Sequence, residues 1–133
     1  MNGYWLVTRD RPGLVAAVVP LLAGDARLVL EGDLKRCRLP EGVPVSAEHA
    51  RRLVIPLDPE LVRPVLDAIA PGPLERDIVH VRVERGDRTL FESRLDDPVR
   101  NAFVDAAEVS EDFLFRLQVL GIIRTWMGPT EGP

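Results

Sequence analysis

Residues Thr8 to Ala23, TRDRPGLVAAVVPLLA, carry an extended segment through a tight turn straight into an apolar helix. A chain that begins this way belongs among folds that alternate strands with helices. Tyr4 to Thr8, YWLVT, is aromatic and β-branched and predicts a strand. Pro12 suits the first helical turn, where a missing N–H costs nothing, and Asp10 or Thr8 can cap it. Leu14, Val15, Val18, Leu21 and Leu22 then fall on one helical face. Pro20 removes a helical hydrogen bond, so the helix should kink or tighten before Gly24-Asp25 ends it.

The same grammar continues downstream. Ala26 to Leu34 predicts a second strand with Leu28 and Leu30 facing inward, and Arg52 to Leu57 a third with Ile55 inward. Between them, Lys35 to Glu48 has no clean period and is expected as a long loop. Asp58-Pro59 starts a second helix, whose stripe is Leu61, Val62, Val65, Leu66 and Ile69. Pro71-Gly72-Pro73 is expected to close it. Asp77 to Glu84 alternates strictly and pairs back on Thr89 to Leu95 through a three-residue turn, Gly86 to Arg88. That turn sets Val83 opposite Phe91 and Arg82 opposite Glu92 as an ion pair on the exposed face. Ser110 caps a last helix, Glu111 to Leu120, with Gly121 in the left-handed position after it and a short strand from Ile122 to Trp126.

Strand, crossover helix, strand, used twice, predicts an α/β (α+β) protein. The expected architecture is a ferredoxin-like βαββαβ antiparallel sheet with an extra hairpin strand and a C-terminal helix. Leu6, Leu28, Leu30, Ile55 and Val81 should face its helices. At 133 residues the chain is expected to form one domain, its βαββαβ core spanning about residues 4–84 and its extension about residues 89–126.

Composition narrows the function classes. No apolar run approaches the roughly 18–20 residues a membrane span needs, and MNGYWLVTRD lacks the features of a secretory signal, so a cytoplasmic protein without membrane contact is expected. The single cysteine, Cys37, excludes an internal disulfide. Seventeen basic against 21 acidic residues give a net charge of −4, which argues against sequence-blind nucleic-acid binding. Lys35 is the only lysine, a bias we attribute to a GC-rich bacterial coding sequence.

Catalytic chemistry has little to draw on. His80 is expected as a surface histidine on the polar face of a strand, and His49 as a solvated loop residue. Cys37 has no flanking signature for a Cys-His nucleophile pair. One cysteine and two distant histidines do not make a zinc site, and no Gly-rich phosphate loop is present. Neither an enzyme nor a cofactor or metal is expected.

The strand-to-helix junction resembles that of ACT domains, the regulatory modules that bind amino acids, over residues 4–30. In that family the loop after the first strand lines a small-molecule site, often at a homodimer interface. The resemblance therefore implies an amino acid or related metabolite held by Asp10, Arg11, Gly13 and Leu14, beside Pro12. GDARLVL lacks the Asn-Ile pair common in that family, and residues 96–133 have no counterpart there.

A different function follows from charge. Asp96 to Asp112 holds six acidic residues and one basic. Asp96, Asp97, Asp105, Glu108, Glu111 and Asp112 would form an acidic rim around an apolar anchor of Phe103 and Val104. Small acidic domains without a catalytic set are similar in character to immunity proteins, which neutralise a toxin. The expected partner is thus a basic protein such as a nuclease toxin, steered by charge.

Overall fold

Strand β1 (Asn2–Thr8) leads into helix α1 (Arg11–Val18), and of the two caps the sequence offers, Asp10 is the one used. The Asp10 carboxylate accepts the Gly13 N–H at 3.0 Å, with Pro12 in the first turn. At Pro20 the helix tightens into a 3-10 turn, Val19–Leu22, so the missing N–H is met by a change of winding. The computed structural model describes residues 2–49, 51–97 and 100–133.

Next come β2 (Arg27–Gly32), β3 (Ser46–His49) and β4 (Arg52–Pro56). The long connection thus ends in a short strand paired to β4. Asp58 does not cap with its side chain; a 3-10 turn, Pro59–Leu61, precedes α2 (Val62–Ile69). Pro71-Gly72-Pro73 opens a further helical turn, α3 (Gly72–Arg76), instead of closing the segment. Two antiparallel strands, β5 (Ile78–Arg85) and β6 (Arg88–Arg94), form the expected hairpin, followed by β7 (Ala102–Asp105), α4 (Glu111–Val119) and β8 (Ile123–Glu131). Ser110 Oγ accepts the Phe113 N–H at 3.2 Å, and Gly121, at φ +76°, reverses the chain after α4 as predicted.

Among the described residues, eight strands form one antiparallel sheet in the order β3-β4-β2-β5-β6-β7-β1-β8. The α+β class holds. The order differs from the ferredoxin-like βαββαβ arrangement, in which a single strand would separate β1 from β2. Here three do, β5, β6 and β7. The physical reason is that β1 finds its partners in segments 102–105 and 123–131, read respectively as acidic loop and as a shorter terminal strand. The β4-to-β5 half does follow the expected rule: its helices cross over β2, which lies between the two strands.

Register decides which residues face the helices. Leu28 and Leu30 of β2, Ile55 of β4, Val81 and Val83 of β5, Phe91 of β6, Val104 of β7 and Leu6 of β1 share one face. They are fully buried with Leu14, Val65, Leu74 and Leu114 from the four helices. Val83 lies opposite Phe91 as predicted, although the turn is two residues, Gly86-Asp87, because a bulge at Leu90 supplies the extra position. Arg82 does lie opposite Glu92, but its Nε meets Glu84 at 2.7 Å while Glu92 is buried against His80. Among the described residues no helix is long and apolar enough to cross a membrane.

The face away from the helices is polar over β2, β5 and β6 and apolar toward β1. There Phe103 is fully buried, its ring 5.3 Å from Trp5, and Gly3 and Gly132 approach it so closely that neither could carry a Cβ in place. Trp5 Nε1 donates to the Glu131 carbonyl at 3.1 Å, and the Arg100 guanidinium lies 5.8 Å over its ring. The end of the last strand therefore roofs Phe103.

Candidate functional site

The acidic stretch does not form one surface. β7 is an interior strand, so Phe103 and Val104 are fully buried, and the apolar anchor expected there is already desolvated inside the chain. Asp105 is buried as well: one oxygen accepts Arg88 at 2.9 Å and the other accepts the Ala107 N–H at 2.7 Å. Glu108 pairs with Arg85 at 2.8 Å, and Asp97 Oδ1 accepts the Arg100 N–H at 3.0 Å. Exposed carboxylates remain at Asp96, after β6, and at Glu111 and Asp112 in the first turn of α4. β7 separates those two groups.

Helix α4 supplies the apolar surface instead. It buries Leu114 and Leu117 against the core, while Phe115, Val119 and the adjoining Leu120 are 57%, 69% and 71% exposed. Phe115 and Val119 are four residues apart and share a face with Glu111 and Asp112 one turn earlier. Arg116 lies 5.7 Å over the Phe113 ring, which holds its charge to the side. Helical spacing predicts an apolar stripe of Phe113, Leu114, Leu117 and Leu120; Leu114 and Leu117 are buried and Phe113 partly so, but Leu120, at the helix end, is exposed. Phe115 and Val119 were legible in principle as large apolar residues outside that stripe.

A second feature lies on the polar face of the sheet. The register aligns Arg52, Glu31, His80 and Arg94 across four strands. The His80 side chain, only 13% exposed, has Nε2 2.5 Å from Glu92 Oε1 and Nδ1 3.6 Å from Glu31 Oε1. Arg94 Nε also reaches Glu92, at 3.3 Å. The hydrogen bond from His80 holds the Glu92 carboxyl below its ordinary range, against the effect of burial, with Arg94 adding to the lowering. A cavity of about 330 Å³ opens beside the cluster, bordered by Glu31, Arg51, His80, Arg94 and Asp96. His80 is thus a bridge between two carboxylates, on the polar strand face where a surface histidine was expected. His49 lies in β3, opposite Arg52. Burial pushes the Cys37 thiol up, away from the thiolate form. No group of three or more metal-ligating side chains occurs among the described residues.

The Glu92 environment has a measurable consequence. A carboxyl whose folded pKa lies below its unfolded value stabilises the fold above that value and loses the contribution as pH falls through the folded one. Wild type should therefore exceed Glu92→Gln in denaturant stability at neutral pH. The gap should narrow as the pH drops below about 4.5, the ordinary value for this carboxyl. A pH-independent gap would place the stabilisation elsewhere in the cluster of Glu31, His80, Arg82 and Arg94.

At the strand-to-helix junction, the residues expected around a small molecule are engaged within the chain. Leu14 is fully buried, and the Gly13 N–H is held by Asp10. Arg11, 9% exposed, sends its guanidinium into the fold. Nε donates to Ser93 Oγ at 2.9 Å and Nη1 to the Leu74 and Ile78 carbonyls at 2.6 and 2.5 Å. Nη2 donates to the Val79 and Ser93 carbonyls at 3.3 and 3.2 Å. Burial pulls its pKa down to about 10, with Asp96 opposing the shift, so it stays charged at neutral pH. A helix-start arginine normally points to water; this one ties α1 to α3, β5 and β6.

No family model, no curated protein and no solved structure matches the chain.

Proposed function

We infer that the protein is a protein-binding module that masks a basic partner, in the manner of an immunity protein, with α4 as its contact element. The observation that carries this reading is the exposure of Phe115, Val119 and Leu120 beside Glu111 and Asp112. Large apolar side chains held this far into water on an otherwise well-packed helix favour an interface, where aromatic anchors supply most of the binding energy. The acidic first turn and the net charge of −4 select a basic partner by steering its approach. Relative to the face expected from sequence, Glu111 and Asp112 are kept, and Phe115 and Val119 replace Phe103 and Val104 as the anchor.

The test uses the purified chain and the dominant basic protein it retains from cells that carry the gene. Phe115→Ser with Val119→Ser should weaken that complex by at least about 30-fold, the scale of an interface hot spot. The fold should lose little, since surface changes usually stay within about 0.5 kcal/mol. Glu111→Lys with Asp112→Lys should mainly slow association, and the slowing should fade at high salt. Unchanged affinity in the serine variant would overturn the assignment of α4.

A further inference from the structure

Beside the junction of β1 and α1 lies a small cavity of about 150 Å³ whose lining carries three arginines, Arg9, Arg11 and Arg94, and no carboxylate. Thr8, Ser93 and Asn101 complete its polar wall. We propose that this cavity is a binding site for a compact tetrahedral oxyanion of the phosphate type, distinct from the α4 surface.

Three independent features support it. The first is charge. Arg11 is buried with its five N–H groups on four carbonyls and one hydroxyl, and no carboxylate lies in ion-pair contact with it among the described residues. A guanidinium held by neutral acceptors has no paired carboxylate to neutralise it, so its positive field reaches the cavity it lines. Asp96 is the carboxylate whose field opposes it, and it borders the neighbouring cavity, not this one. The second is donor supply. Thr8 Oγ1 is buried without a hydrogen-bond partner. Buried hydroxyls are normally satisfied, and since Thr8 lines the cavity, a change of its χ1 rotamer would turn this unpartnered hydroxyl from the interior to a ligand acceptor. Asn101 Oδ1 accepts the Thr8 N–H at 3.0 Å, which turns its amide N–H groups to other acceptors. Arg94 uses Nε on Glu92 at 3.3 Å, and Arg9 is exposed with no ion pair among the described residues.

The third is size and shape. The cavity matches about five water volumes, enough for a phosphate group. Two guanidinium forks, a hydroxyl and an amide offer more donors than the two oxygens of a carboxylate can accept, and they suit the three or four oxygens of phosphate. The exposed positions of Arg9 and Arg94 leave the site open to solvent, so either free phosphate or a phosphate group on a larger molecule can enter.

Inorganic phosphate is the probe, titrated into the full chain against sodium chloride at matched ionic strength and against acetate. Saturable shifts of the backbone amide resonances of Thr8, Arg9 and Asn101 are expected, with acetate at least tenfold weaker. Phosphate also stabilises proteins non-specifically by exclusion from their surface, so the deciding quantity is the difference between variants. Arg9→Gln should weaken phosphate about tenfold or more, as expected for a charge-assisted hydrogen bond. Thr8→Val should weaken it too while leaving the phosphate-free melting temperature unchanged or raised, because the hydroxyl it removes has no partner. Both variants leave Arg11 and its anchoring role in place. Absence of saturation, equal shifts with acetate, or a phosphate response in Thr8→Val and Arg9→Gln equal to that of the wild type would each overturn the site. A phosphorylated serine peptide binding more tightly than free phosphate would identify the source as a larger molecule and keep the chemistry.

Discussion

Replacing Arg11 with methionine should destabilise the protein by about 3–5 kcal/mol, because four buried carbonyls and a hydroxyl lose their donor at once. Methionine keeps most of the apolar stem, so packing loss is small. What is lost is the set of donors to Ser93 and to the carbonyls of Leu74, Ile78 and Val79. Each buried acceptor left without a partner costs about 1–3 kcal/mol. The sum stays below the simple total, because water entering through the adjoining cavity can reach some of them. Lysine should restore only part of the stability, since an ammonium has three donors where the guanidinium has five in a fixed plane. Urea denaturation of the three proteins checks this. A loss under about 1 kcal/mol for Arg11→Met would mean that the helix start is held by apolar packing alone.

The second large effect is expected at Leu30. It is fully buried at the centre of the sheet, paired to Leu53 on one side and Val81 on the other, beneath the helices. Leu30→Ala removes apolar surface and leaves a cavity that neighbouring strands cannot close, which costs about 2–5 kcal/mol. Leu21, half exposed at the end of the 3-10 turn, is the contrast. Its alanine variant should stay within about 0.5 kcal/mol. Equal midpoints for the two variants would mean that the register of β2 is shifted.

These two residues also mark how far the fold was legible. Leu30 could be placed in the core because alternation and helical period are local signals. The same holds for the caps at Asp10 and Ser110, for Gly121, and for the Val83–Phe91 pairing. Strand neighbours are not local, and there sequence reasoning went astray. AFVD of β7 is too short to show a period, and it is buried on both faces, so no alternation exists to find. Its aspartate reads as surface charge, although Arg88 neutralises it inside the fold. The GPTE end of β8 has little strand propensity and is extended because β1 pairs with it. With β7 unseen and β8 read short, the separation of β1 from β2 by three strands could not be anticipated.

The site residues follow the same rule. His80 alternates with valines, which places it on the polar face but says nothing of what stands beside it. Its environment depends on β2 and β6 bringing Glu31 and Glu92 alongside. Arg11 illustrates the opposite error: the resemblance placed it around a small molecule, and it is taken into the interior because four carbonyls converge there. Phe115 and Val119 were visible as residues, and their exposure became meaningful only once Leu114 and Leu117 were seen to satisfy the packing of α4.

The seam between the first strand and its neighbours sets an order for assembly. β1 pairs with β7 and β8 and with no earlier strand. During synthesis, therefore, β2 to β6 can associate while the N-terminal strand still has no ladder to join. Tyr4 and Leu6 must wait, apolar and unpaired, until Ala102–Glu131 has emerged. Such non-local closure is the slow part of sheet formation and the stage at which unpaired strands are most open to aggregation. A chain interrupted before β7 would keep a compact middle and a sticky first strand, so β1, β7 and β8 can only mature together.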